Sequence, residues 1–157
     1  MDKNLRYVQP IRCGQLLNAK IEKRNSTISG FGLFARETIK KDECIWSPTA
    51  DLIEKIHIND LATLSEDSRL DWIRHSYQMG SFLYKDIDDT RFMNHSCRPN
   101  TANFYNVLVA ARDIEKDEEI TWDYLPYMNP YLVFDCFCGN QNCVGVVRKG
   151  IMIQIKA

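Results

Sequence analysis

With 157 residues, 45% of them hydrophobic and 26% charged, the chain is long enough for one globular domain with its own core and too short for two. A formal charge of −1 and a pI near 6.3 exclude a protein held to nucleic acid by bulk charge, so no direct nucleic-acid partner is expected. No apolar run approaches the roughly 20 residues of a membrane span, and the first six residues (MDKNLR) lead into no apolar signal core, so the expected setting is intracellular, cytoplasmic or nuclear, without a membrane.

In chain order, residues 19–24 (AKIEKR), 31–36 (FGLFAR), 43–46 (ECIW), 103–110 (NFYNVLVA) and 118–124 (EEITWDY) are short and rich in β-branched and aromatic side chains. Gly, Asp, Asn and Lys turns separate them, and this pattern predicts strands. Between them, residues 50–80 carry helical material: Leu70, Trp72, Ile73 and Tyr77 make a rough helical stripe with Ser65 or Asp67 as its cap, expected to pack on the sheet. Residues 91–100 (RFMNHSCRPN) crowd turn formers together, and Pro99 forces Arg98 into an extended conformation, so an irregular loop is expected. The predicted fold class is mainly β with short helices, without internal repeats or linkers.

Six cysteines stand at positions 13, 44, 97, 136, 138 and 143, and a chain with this much core and no export signal predicts reduced thiols. Cys136, Cys138 and Cys143 form a C-x-C-x4-C cluster around a turn glycine, a spacing that points several sulfurs at one centre. A structural zinc site needs a fourth ligand, and Cys97 in the irregular loop is the candidate, against the alternative of a small buried hydrophobe. The stretch 29–36 (SGFGLFAR) has glycines flanking an aromatic, which suits either close approach to a ligand or a bulge entering a strand. It lacks the third glycine and following helix of a dinucleotide fingerprint, so nicotinamide binding is rejected.

In this order and spacing, GFGLFAR, RFMNHSCRPN, ARDIEKDEEITWDY and CFCGNQNC together resemble the SET-domain family of protein-lysine methyltransferases with a post-SET zinc segment, over residues 18–147. The resemblance implies a fold of small curved β-sheets with a C-terminal pseudoknot, in which the segment near Glu119 to Tyr124 passes under the loop holding Asn94 and His95. It implies an N-terminal extension at 1–17, a SET domain at 18–127 with a variable helical insert at 50–80, and a zinc segment and tail at 128–157. Gly30, Phe31, Gly32, Asn94, His95 and Phe137 match residues that hold S-adenosylmethionine, and Cys97, Cys136, Cys138 and Cys143 match the ligands of a structural zinc. Tyr124 matches the catalytic tyrosine beside the transferred methyl.

Trp122 stands where relatives usually carry phenylalanine or tyrosine, the position that governs how many methyl groups are added. Tyr84 is the only counterpart noted for a second channel tyrosine. The implied partner is a protein presenting a lysine in an extended peptide, with a histone tail as one candidate and a homo-oligomer as one route to target selection. Asp86, Asp88 and Asp89 are either an attractant for a basic peptide or a solvated loop. The alternative to an active enzyme is a zinc-stabilised interaction module that keeps the fold without catalysis, for which Trp122 is the main argument.

Overall fold

The computed structural model describes residues 17–48, 50–105 and 107–150. In chain order the strands are β1 (Ile21–Asn25), β2 (Phe31–Ala35), β3 (Cys44–Trp46), β4 (Ile53–His57), β5 (Ser76–Met79), β6 (Phe82–Asp86), β7 (Asn94–His95), β8 (Thr101–Phe104), β9 (Val107–Ala110), β10 (Glu119–Trp122), β11 (Val133–Asp135) and β12 (Val146–Arg148). One helix, α1 (Glu66–His75), and short 3-10 turns complete the described elements. The strands make four small sheets, in the orders β1-β2-β10-β7, β3-β9-β8, β4-β6-β5 and β11-β12. The mainly β class with small sheets is as expected.

The sequence reading is modified in two places. The run at 103–110 is not one strand but most of a hairpin, β8 to β9, which turns through Tyr105 in the left-handed region (φ 54°). Within 50–80 only α1 is a full helix, and β4 and β5 flank it as two strands of the β4-β6-β5 sheet. The helix begins where a cap was sought: Ser65 accepts a hydrogen bond from the Ser68 N–H, acids occupy the first turn, and Arg74 and His75 occupy the last, complementing the helix dipole. Tyr77 falls beyond the helix, in β5, so its side chain serves the sheet rather than a helical stripe.

The main core gathers the inward faces of the first two sheets. Leu33, Ala35, Ile39, Ile45, Ala110, Ile114 and Ile120 are fully buried within it. A smaller cluster of Leu61, Trp72 and Leu83 seats α1 on β6. Cys44 corrects the expectation of reduced thiols, because it is disulfide-bonded, whereas Cys97, Cys136, Cys138 and Cys143 are free. A chain with core enough does not need a disulfide, but nothing in its packing forbids one. Positions 1–16 and 151–157, which contain most of the expected N-terminal extension and the tail, lie outside the described residues.

β10 lies between β2, antiparallel, and β7, parallel, with Thr121 opposite Asn94 and Trp122 opposite His95. This is the crossing expected of the pseudoknot. Parallel partners so joined leave no room for a hairpin, so the loop after β7 supplies the missing hydrogen bonds. Asn100, almost fully buried, donates to the Glu119 carbonyl at 2.8 Å and to the Glu118 carboxylate at 2.9 Å, and accepts from the Thr121 N–H at 2.9 Å. Replacing Asn100 by alanine strands these buried backbone groups, so it should destabilise the fold by about 3 kcal/mol. Urea unfolding checks this: the midpoint should fall while the slope stays unchanged.

Candidate functional site

β7 delivers Asn94 and His95 to opposite sides of the strand crossing. The Asn94 amide nitrogen lies 3.1 Å from the Ser29 carbonyl, 3.0 Å from the Phe31 carbonyl and 2.8 Å from Glu119 Oε1, so it ties the glycine-flanked segment to the centre of the sheet. Glu119 also accepts from the Ser26 hydroxyl at 2.8 Å. Gly32 is required by this arrangement: a Cβ there would stand 2.2 Å from Glu119 Oε1. Its neighbour Gly30 has a positive φ of 46° and open space where a Cβ would point. Phe31 is half-exposed, edge-on to Phe92.

The His95 ring is 2% exposed and faces inward. Its Nδ1 accepts from the Tyr124 backbone N–H at 3.1 Å, which leaves the proton on Nε2, 3.5 Å from the Cys97 sulfur. Burial lowers its pKa, so the ring is held neutral in this one tautomer. A single imidazole thus braces both the backbone of Tyr124 and the cysteine cluster.

The four expected cysteines do converge, with their sulfurs all within 4.8 Å of one another. Cys97 and Cys136 sulfurs are 3.8 Å apart. A tetrahedral zinc with bonds of about 2.3 Å has sulfur–sulfur edges of about 3.8 Å, so the donor set fits one such ion. Asn140 donates to the Cys138 sulfur at 3.2 Å and to the Ser96 hydroxyl at 2.9 Å, stitching the C-terminal segment to the loop after β7. Burial pushes the Cys97 thiol up to about 11 and raises Cys136 further. Burial acts on Cys138 in the same sense, but the donors around it, Asn140 foremost, outweigh that and bring it down to about 6.

Tyr124 follows β10. Its hydroxyl donates to the Met93 carbonyl at 2.5 Å, and desolvation with the nearby Glu119 charge pushes its pKa well above the ordinary phenol range. With its proton committed, the oxygen keeps its lone pairs for a donor in the cavity it borders. That cavity, of about 550 Å³, is walled by Tyr77, Tyr84, Trp122, Tyr124 and Tyr127 among others. Trp122 stacks on Tyr127 at 5.4 Å between ring centroids and meets Tyr77 edge-on at 6.2 Å, while Tyr77 stacks on Tyr84 at 5.8 Å.

A family model for the SET domain matches residues 30–125, well over half of the chain. The chain belongs to the SET domain family. Among curated relatives, it is 30% identical over 161 residues to the Variant-silencing SET domain-containing protein of Plasmodium falciparum, covering 92% of this chain and 6% of that protein. It is 31% identical over 132 residues to the Histone-lysine N-methyltransferase, H3 lysine-36 specific, of Mycosarcoma maydis, covering 75% of this chain and 13% of that one. Histone-lysine N-methyltransferase mes-4 of Caenorhabditis elegans is 28% identical over 158 residues, covering 85% and 17%. This SET domain chain therefore spans less than a fifth of the length of these relatives.

Two solved structures share the SET fold. The methyltransferase domain of human Histone-lysine N-methyltransferase SETMAR superposes with a TM-score of 0.62 at 19% identity, covering 88% of this chain and 61% of that one. KRYPTONITE in complex with mCHG DNA and SAH gives 0.58 at 21% identity, covering 83% and 29%.

Asn94 bonds the Ser29 and Phe31 carbonyls on either side of Gly30, and Tyr124 and Trp122 share the cavity. Phe137 is 67% exposed, while Phe134 lies against both His95 and Tyr124 at 6.1 and 5.9 Å. Neither Phe134 nor Tyr77 stood out in the sequence. The alternation that sets Phe134 two residues before Cys136 was the one available signal for the first, and Tyr77 was hidden in an apparent helical stripe. The bond from the Tyr124 N–H fixes the His95 tautomer, so two-bond proton–nitrogen correlation spectra should show a protonated Nε2 and an unprotonated Nδ1 for this ring. The opposite pattern would break the assigned link between Tyr124 and the cysteines.

Proposed function

We propose that this chain transfers methyl groups from S-adenosylmethionine to the ε-amine of lysine in a protein substrate. The observation that carries the reading is the Tyr124 hydroxyl, fixed on the Met93 carbonyl at the wall of an aromatic cavity. When bound, S-adenosylmethionine supplies an electrophilic methyl on a sulfonium. Gly30, Phe31, Gly32, Asn94, the His95 backbone and Phe137 are the residues that would hold it. They fit: Gly30 faces open space, Phe31 and Phe137 display aromatic surface, and the Asn94 side chain is anchored but still partly exposed.

The cavity residues prepare the amine. Aromatic faces attract a lysine cation, and burial among them then favours its neutral form, which alone can act as nucleophile. Tyr124, its own proton committed, accepts from the amine and orients the nitrogen lone pair. Trp122 closes one end of the cavity, held between Tyr127 and Tyr77, and in this reading its bulk limits how many methyl groups the amine can carry. Relatives named as H3 lysine-36 methyltransferases support a histone tail as substrate and a nuclear setting.

Cys97, Cys136, Cys138 and Cys143 would hold one structural zinc ion, which fastens the segment from residue 128 onward against His95 and Tyr124. The purified chain should carry about one equivalent of zinc. Cys138→Ser should weaken S-adenosylhomocysteine binding more than it lowers the stability of the core, since three of the ligands lie in the C-terminal segment. Zinc release assays and calorimetry check this, and unchanged cofactor binding by the metal-free chain would sever the two.

Calorimetry with S-adenosylhomocysteine tests the enzyme reading directly: no binding at high micromolar ligand would leave a non-catalytic interaction module instead. Tyr124→Phe keeps the ring and removes the acceptor, so turnover on a substrate peptide should fall about a hundredfold or more with cofactor binding little changed. Trp122→Phe, once shown to be folded, should retain turnover and shift products toward higher methylation states by mass spectrometry.

A further inference from the structure

The described residues contain four buried side-chain polar atoms without a hydrogen-bond partner: Asp86 Oδ1, Asp88 Oδ2, Thr90 Oγ1 and Trp122 Nε1. They are not scattered. Asp86, Thr90 and Trp122 line the same aromatic cavity, and Asp88 lies between the first two in sequence. Asp86 is 8% and Thr90 9% exposed, so both are shielded from the outer surface. Buried polar atoms are ordinarily paired, and two acceptors at one cavity, Asp86 Oδ1 and Thr90 Oγ1, mark a place where a donor of a ligand completes the bonding, whereas the Trp122 indole N–H is itself a donor.

The charge makes the ligand's chemistry specific. Asp86 ends β6 two residues after Tyr84, on the same face of the strand, and its field reaches the Tyr77 hydroxyl. It forms no ion pair among the described residues. Its neighbour Lys85 is turned to Glu54 and Asp71 at 2.9 and 2.7 Å. Of the cations lining the cavity, Lys55 lies 3.9 Å from the centre of the Phe82 ring, His75 pairs with Asp71, Arg91 lies over the Phe92 ring, and neither these nor Arg74 pairs with Asp86. Burial, with Asp88 beside it, raises the Asp86 pKa to about 7, the mark of a carboxyl group without a countercharge. Tyr77, Tyr84 and Trp122 supply π faces, so carboxylate and rings together suit one class of group, a cationic nitrogen on an alkyl stem.

We propose that Asp86, with Thr90 as a second acceptor, forms a subsite for a basic side chain of the substrate peptide, inside the cavity that Tyr124 borders. The proposal deepens the lysine methyltransferase reading and rests on it for the identity of the ligand as a peptide. A lysine or arginine flanking the target lysine presents the required cation, because the target amine itself has to be held neutral. Asp86 acts here as a binding residue and takes no part in bond making.

The test uses the whole chain labelled with nitrogen-15 and three probes of similar shape: n-butylammonium, n-butylguanidinium and neutral n-butanol. The Trp122 indole N–H, assigned through Trp122→Phe, reports on the cavity. The two cations should shift it saturably and bind more tightly than the alcohol, and Asp86→Asn should weaken the cations at least tenfold while leaving the alcohol unchanged. Thr90→Val should weaken them less. Asp86→Asn should also melt at the same temperature as the parent or higher, because it removes an unpaired buried charge. A lower melting point, or equal binding of alcohol and cations, would show Asp86 to be a structural carboxylate and overturn the proposal.

Peptides spanning lysine 36 of histone H3 then locate the source. Norleucine at the flanking basic positions should abolish the dependence of affinity on Asp86 while norleucine at the target lysine preserves it, and the proposal fails if the flanking exchange leaves that dependence intact. Failure of S-adenosylhomocysteine to bind would overturn the enzyme reading while leaving the butylammonium result standing, so the two failures are distinct.

Discussion

The structure depends on the way β10 is satisfied on both sides. Glu119 to Trp122 pairs with β2 in one direction and β7 in the other, and the parallel partner offers fewer short-range bonds to close the sheet. Asn100 fills that gap by bonding directly to the β10 backbone, and Thr101 adds a bond to the Thr121 carbonyl at 2.8 Å. Once β10 is pinned, everything that follows is placed: Trp122 in the cavity, Tyr124 on Met93, and the cysteine segment against the loop after β7.

Buried polar groups, more than apolar packing, carry the specificity of this centre. Glu119 gathers Ser26 and Asn94 beneath Gly32, and His95 spans Tyr124 and Cys97. Each is paired, so each fixes a single arrangement. The side of the cavity near Asp86 differs, because its polar atoms lack partners within the protein. The bonded centre is built for rigidity, and the unpaired atoms at the cavity are left for an incoming group.

Motifs carried by local chemistry were legible in the sequence. The C-x-C-x4-C spacing, the turn-rich loop at 91–100 and the strand that leads to Tyr124 announced themselves, and the resemblance connected them. What escaped were contacts set by pairing between remote segments. Tyr77 reads as helical because it sits four residues after Ile73, yet the chain ends α1 at His75 and the residue belongs to a strand beside Tyr84. Asp86 resembles its acidic neighbours Asp88 and Asp89, and nothing in the local sequence reveals that β4 and β5 flank β6 and bury it. Gly32 looked like a site of ligand approach, and its local reason is the carboxylate of a residue far along the chain.

The four-cysteine cluster also has a consequence for synthesis. Cys97 leaves the ribosome 39 residues before Cys136, its sulfur neighbour in the folded chain. At about 5–20 residues per second that interval is about 2 to 8 s, during which β10 is also synthesised. The sulfurs cannot assemble until Cys143 has followed, by which time the crossing strand is already available. Closure of the cluster therefore has to wait until β10 has been made, and it fastens the C-terminal segment to the loop after β7.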